Sequence, residues 1–277
     1  MTIRFTKMHG LGNDFIVVDA VRQTIDFSPT TIAELARRDT GIGFDQCLIV
    51  EPGTDSTTDF FYRIFNADGQ EVGQCGNGAR CLARFLLHQG LTTKKLISVA
   101  TCTTKMQLMI NDDDTVTVDM GTPKLNPADI PLSFENRAAI YDLPLQNGTL
   151  HSVHAINVGN PHAVSIVNDV DNTDVEKLGK AISEHRLFPQ QTNAGFMQII
   201  NNNQLRLRVY ERGCGETRAC GSGAVAAAAV GRLYHHLAST IHVHLPGGEL
   251  IVEWPDINGS IYLRGPASFV YEGVLMP

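Results

Sequence analysis

The chain has 277 residues, a formal net charge of −7, 43% hydrophobic and 18% charged content, which is the composition of a globular chain. The acidic balance speaks against generic nucleic-acid binding, which needs a basic face to displace counterions. No apolar run approaches the ~18 residues of a membrane span, and the N-terminal residues carry charges and glycines where a signal peptide needs an apolar stretch. A cytoplasmic protein without nucleic-acid or membrane partners is therefore expected. Its six cysteines read as thiols and not as a disulfide framework. The usual ~150 residues per domain gives two domains.

In chain order, a strand is expected over 16–18, then a helix over 30–39 capped by Ser28 or Thr30 with Pro29 near its start. Short β-branched or aromatic runs predict strands over 48–51 and 60–65. A helix over 77–88 follows a glycine-rich turn, then strands over 98–102, 106–110 and 115–119. Asp112, Asp113 and Asp114 read as a hairpin turn. The Pro-rich stretch 123–131 is the candidate domain crossing, and a second glycine-opened helix is expected over 223–236.

The most informative feature is an internal repeat. Gly12-Asn13, Gln46, Asn66 and Cys75-Gly76 recur as Gly159-Asn160, Asn193, Glu211 and Cys220-Gly221. Successive separations from the Asn are 33, 20 and 9 residues in the first copy and 33, 18 and 9 in the second. The flanking text agrees, EVGQCGNGARC against ETRACGSGAVA. Two long copies are not a solenoid, which needs several short units. They predict two similar domains related by a pseudo-twofold axis, with equivalent residues meeting at it.

Only one cysteine pair is equivalent under the repeat. Cys75 matches Cys220, whereas Cys81 matches Ala226 and Cys214 matches Gly69. Each of the pair precedes Gly-x-Gly and a helix, so each is expected at a helix N-terminus, where the dipole favours the thiolate. Two symmetric thiols suit inversion of a stereocentre. One removes the α-proton from one face and the other delivers a proton to the opposite face. The turns Gly76-Asn77-Gly78 and Gly221-Ser222-Gly223 would hold a carboxylate on backbone N–H groups and stabilise charge developing there. Other cofactor and metal motifs are absent. Gly76-x-Gly78-x-x-Cys81 lacks the last glycine of a dinucleotide fingerprint, no phosphate loop occurs, and the cysteine spacings are not those of zinc. His242 and His244 suggest no third ligand, and no lysine lies in the Cys–Gly motifs. No metal and no cofactor are expected.

The segments MHGLGNDF (8–15), GIGFDQ (41–46), FNADGQEVGQCGNGARC (65–81), NVGNPH (157–162) and YERGCGETRACGSGA (210–224) closely resemble the diaminopimelate epimerase family. The resemblance implies an α/β (α+β) fold of two pseudo-symmetric domains. Each is a mixed curved sheet wrapped around a central helix, with the active site in the cleft between them. It implies domains over 1–122 with a returning strand in 265–277, and over 123–264. It implies cofactor-independent interconversion of LL- and meso-2,6-diaminopimelate, in lysine and peptidoglycan precursor biosynthesis. Carried over by position, Cys75 is the proton donor and Cys220 the proton acceptor. His162 and Glu211 tune the thiols. Asn13, Gln46, Asn66, Gly76, Asn77, Asn160, Asn193, Glu211, Arg212, Gly221 and Ser222 bind substrate. Tyr271 matches a contact of the family's homodimer. The alternatives are a related two-cysteine proline or hydroxyproline racemase, a hydrolase using Cys75 with His162, and a non-catalytic binding module.

Overall fold

The computed structural model describes residues 2–146 and 148–276. Met1 and Pro277, the outer limits of the first expected domain, lie outside the described residues. The chain divides into two compact units, Met1–Asp119 with Gly265–Pro277, and Met120–Arg264.

Unit 1 opens with β1 (Ile3–Gly10) and β2 (Asn13–Asp19), an antiparallel hairpin. Its turn holds Leu11 at φ 56° and Gly12 at φ 90°, the left-handed backbone that two-residue hairpins require. Helix α1 (Pro29–Ala36) is capped by Ser28, whose side chain accepts from the Thr31 N–H. It ends short of the expected residue 39. Arg37 leaves in an extended conformation, and Arg38 pairs with Asp14 and Asp45 instead of continuing the helix. Next come β3 (Gln46–Pro52), β4 (Phe60–Asn66), β5 (Glu71–Val72) and α2 (Gly76–His88), then β6 (Leu96–Ala100), β7 (Lys105–Ile110) and β8 (Val116–Asp119). The β6 strand ends earlier than expected, at Ala100, because Thr101 and Thr104 close the turn to β7.

The interior of β2 and β3 is a continuous apolar run, buried on both faces. On one face Ile32, Ala36 and Phe44 pack against Ile16, Val18, Cys47 and Ile49. The other face meets α2, which is buried almost all round from Asn77 to Phe85 and packs on β1, β2, β3, β7 and β8. A helix that buries every side must be central.

Unit 2 contains β9 (Tyr141–Pro144), β10 (Leu150–Asn157), β11 (Pro161–Ile166), α3 (Val175–Ser183), β12 (Asn193–Asn201), β13 (Gln204–Glu211) and β14 (Gly215–Thr217). Helix α4 (Gly221–Tyr234), β15 (Thr240–Leu245), β16 (Gly248–Glu253) and β17 (Tyr262–Gly265) complete it, apart from the last residue of β17, which opens the returning segment. Helix α3 is absent from the sequence expectations. Its N-cap Asp174 accepts from the Lys177 N–H, and it packs its apolar side on β12 and β13. Helix α4 stops at Tyr234, because His236 takes a positive φ of 57°. Its Ala-rich sequence is buried from Gly223 to Gly231, small side chains letting strands approach on several sides. Finally, β18 (Ser268–Leu275) pairs antiparallel with β1.

The repeat is present strand by strand. In unit 1, β1–β2 is antiparallel, β2–β3 parallel, β3–β4 antiparallel, β4–β6 parallel and β6–β7–β8 antiparallel. In unit 2, β10–β11, β11–β12, β12–β13, β13–β15 and β15–β16–β17 repeat that order and those directions. The short strands β5 and β14 edge β4 and β13 alike. β18 lies on β1 as β9 lies on β10.

Candidate active site

In unit 1 the chemistry-bearing residues converge on the N-terminus of α2. Cys75 is its N-cap, and its sulfur accepts the Gly78 N–H at 3.4 Å. Asn13, just after the tight turn, places Oδ1 3.9 Å from Cys75 Sγ and accepts from Asn77 Nδ2 at 3.2 Å. Asp45 holds the other end of the Asn13 amide at 2.9 Å. Gln46 at the start of β3 faces Asn66 at the end of β4 and donates to its Oδ1 at 2.9 Å. The Gln46 Oε1 is buried without a partner among the described residues.

Unit 2 builds the equivalent cluster at α4. Cys220 is the N-cap, its sulfur accepting the Gly223 N–H at 3.3 Å and lying 3.6 Å from Ser222 Oγ. His162 on β11 is level with Asn193 on β12. Its Nε2 lies 3.0 Å from both Asn160 Oδ1 and Ser222 Oγ. Asn193 Oδ1 accepts the Arg212 backbone N–H at 3.0 Å, and Glu211 accepts from Thr217 Oγ1 at 2.6 Å. The Arg212 guanidinium is exposed and donates to Gln190 O at 3.1 Å. The two-residue difference between the copies falls in the β3–β4 and β12–β13 hairpins, so both strand pairs meet in matching register at their helix-facing ends.

The structure thus brings the sequence-selected residues of each copy together, except Tyr271. That residue lies on β18, exposed, with its ring 6.0 Å from Phe5 in an edge-on arrangement. Asp45, Thr217 and Arg80 were not singled out by sequence. The first two hold Asn13 and Glu211. His242 and His244 both approach Glu249, and no cluster that could hold a metal ion occurs among the described residues.

The electrostatics of the second cluster are those of a dry site. Burial, then the Glu211 charge, pushes the Cys220 thiol well above its ordinary value, opposed by the Ser222 and Gly223 hydrogen bonds. Burial, with the Arg212 charge, lowers His162 to about 3. His162 is therefore neutral, with Nδ1 lacking a partner among the described residues. A stability prediction follows. The unfolded chain binds a proton at this residue below about pH 6.5, whereas the folded chain resists it until about 3. Its contribution is complete above the unfolded value and is lost, by up to about 1.4 kcal/mol per pH unit, as pH falls between the two. His162→Gln is expected to flatten the acid-side slope of stability in urea titrations at a series of pH values. An unchanged slope would show that His162 protonates freely in the folded state.

The two-unit mixed-sheet fold is shared with known structures. A hydroxyproline epimerase from Agrobacterium vitis, solved with bound trans-4-OH-L-proline, superposes with a TM-score of 0.70 at 13% identity, over 99% of this chain and 92% of that one. A phenazine biosynthesis protein of the PhzF family from Bacillus anthracis gives 0.68 at 14% identity, covering all of both chains. These likenesses define the fold class, two mixed-sheet α+β units. At the level of sequence, the diaminopimelate epimerase profile matches residues 5–126 and 154–270. Diaminopimelate epimerases from Legionella pneumophila, strains Philadelphia 1 and Corby, are each 58% identical over 276 residues, covering 100% of both chains. The chain belongs to the diaminopimelate epimerase family.

Proposed function

We propose that the protein interconverts LL- and meso-2,6-diaminopimelate by proton transfer at one α-carbon, with Cys75 and Cys220 as the two bases. The observation that carries this is the cysteine N-cap repeated at equivalent places in both units, in a chain 58% identical end to end to diaminopimelate epimerases. A thiolate takes the α-proton and the opposite thiol returns one to the other face. The direction of the reaction decides which thiol is the base and which the acid. The α-carboxylate would rest on first-turn amides of Gly76-Asn77 and Gly221-Ser222, where two helix dipoles meet charge as it develops.

The amide ring suits the rest of the substrate. The orphaned Gln46 Oε1 is an acceptor whose desolvation cost is offset when an ammonium group binds. Glu211 would receive a second ammonium group, and Arg212 would pair with the distal carboxylate. Asn66, Asn160 and Asn193 both donate and accept, so they discriminate the distal stereocentre. Incubation with LL-diaminopimelate in heavy water tests the reading. Deuterium at the α-carbon and meso product are expected, and the absence of both would refute it. The fold shared with the hydroxyproline epimerase keeps a cyclic imino acid as the second reading. That substrate has no distal charged group for Arg212, and it serves as the comparison arm of the same experiment.

The same reading assigns the enzyme to the cytoplasm, to lysine and cell-wall precursor biosynthesis, and to a homodimer. Support for the dimer comes from β18, which pairs on one side with β1 and exposes Val270, Tyr271 and Val274. Tyr271→Ala is expected to shift the sedimenting mass from two chains to one. An unchanged dimer would remove Tyr271 from the interface.

A further inference from the structure

Among the described residues Arg80 is the largest fully buried side chain, and no carboxylate among them pairs with it. It lies on α2, five residues after Cys75. Its guanidinium is held by neutral groups alone. Nε donates to Pro266 O at 3.1 Å, Nη1 to Gly76 O at 3.4 Å and Nη2 to Asn77 Oδ1 at 2.8 Å. Gly10 closes over this cluster. A Cβ there would sit 3.1 Å from Arg80 Nη2 and 3.3 Å from Asn77 Cβ, so glycine lets β1 lie directly on it. Asn77 passes the constraint on by donating to Asn13 Oδ1, which lies beside the Cys75 sulfur.

A buried cation without a counter-anion is costly to keep, so an anion is expected to appear nearby during function. Burial lowers Arg80 only to about 10, so it is charged at neutral pH, and the Cys81 and then the Cys75 thiol, when ionised, raise it. Tyr62 on β4 and Cys81 on α2 also face Cys75, and burial raises both, Cys81 to about 12, so neither supplies the anion. The repeat is broken at these positions. Arg80 corresponds to Val225, and Asn66 corresponds to Glu211. One thiol therefore has a buried cation and a neutral amide, while the other has an apolar side chain and a carboxylate.

We propose that Arg80 is a positioning residue whose unpaired buried charge, against Glu211 beside Cys220, makes Cys75 the thiolate and Cys220 the thiol of the empty enzyme. This deepens the two-base reading above and rests on it. With Cys75 as donor and Cys220 as acceptor for the LL epimer, the resting form is then the one that accepts the meso epimer. The LL epimer draws on the minor form.

Alkylation of the full-length enzyme by iodoacetamide without substrate, across a pH series, tests the assignment independently of turnover. The Cys75 and Cys220 peptides are quantified separately by mass spectrometry. In the unmodified protein the Cys75 midpoint is expected below the ordinary thiol value of about 8.5 and the Cys220 midpoint above it. Arg80→Met should raise the Cys75 midpoint by about one unit or more and leave Cys220 unmoved, and Arg80→Lys should restore most of the shift. Turnover of the meso epimer by Arg80→Met should fall about tenfold at neutral pH, as one unit of thiol pKa implies, and recover at higher pH, which a folding defect would not do. A Cys220 midpoint below that of Cys75 in the unmodified protein would overturn the proposal whether or not the variants fold. An unmoved Cys75 midpoint in folded Arg80→Met would also overturn it. Failure to epimerise diaminopimelate would instead refute the functional reading and leave the thiol midpoints as measured.

Discussion

Replacing either Cys75 or Cys220 is expected to lower LL-to-meso conversion by at least about a thousand-fold, the upper range of a positioned acid or base. In the two-base reading each thiol serves one face of the α-carbon, so neither has a substitute. Alanine also removes a helix cap, since each sulfur accepts the N–H of the third helical residue, and such a loss costs about 1 kcal/mol. Serine separates the two effects. It caps a helix well, yet its hydroxyl is far too weak an acid to be ionised near neutral pH. Cys220→Ser should therefore melt at or near the temperature of the unmodified protein and fail at conversion. Its Cys75 should still exchange the α-proton of the epimer that presents that proton to it, without inversion. Conversion above a tenth of the unmodified rate by Cys220→Ser would end the two-base mechanism.

The site was legible in the sequence where the repeat singled it out. Packing alone gives no reason for Cys75 and Cys220 to recur beside Gly-x-Gly at matching separations, and both prove to be N-caps. Asn13 and Asn160 were legible for a related reason, since Gly-Asn recurs 33 residues before Gln46 and before Asn193. In the fold both glycines take left-handed backbone, φ 90° at Gly12 and 103° at Gly159. What stayed hidden depends on contacts distant in sequence. Arg80 sits in an otherwise apolar stretch of α2, and only the fold shows that Pro266, Gly76 and Asn77 replace water around it. Asp45 and Thr217 gain meaning only from the Asn13 and Glu211 side chains they hold. Helix α3 carries a clear cap in Asp174, but its apolar face is short and its partners are β12 and β13. The parallel pairings β2–β3 and β11–β12 could not be read from local pattern, because register between parallel strands is set through the crossover that joins them.

Arg212→Met is expected to raise the KM for LL-diaminopimelate about 100-fold, within the 1.5–3 kcal/mol of a charge-assisted contact. The backbone of Arg212 is anchored by Asn193 and one guanidinium nitrogen by Gln190 O. The group is thus oriented, with donors left for a carboxylate. In the proposed pose the contact is remote from the α-carbon and would be made equally in ground and transition states. kcat should therefore stay within about tenfold, the pattern of uniform binding. Arg212→Lys should fall between, since an ammonium keeps the charge and loses the paired geometry. Lysine, which lacks the distal carboxylate, supplies the control substrate. The unmodified enzyme should bind it far more weakly than diaminopimelate, and Arg212→Met should weaken diaminopimelate alone, closing the gap between them. A KM for diaminopimelate unchanged within about twofold would remove Arg212 as the distal partner. Equal weakening of both substrates would place its effect at the reacting end. There its charge already reaches His162, and through Ser222 the Cys220 thiol.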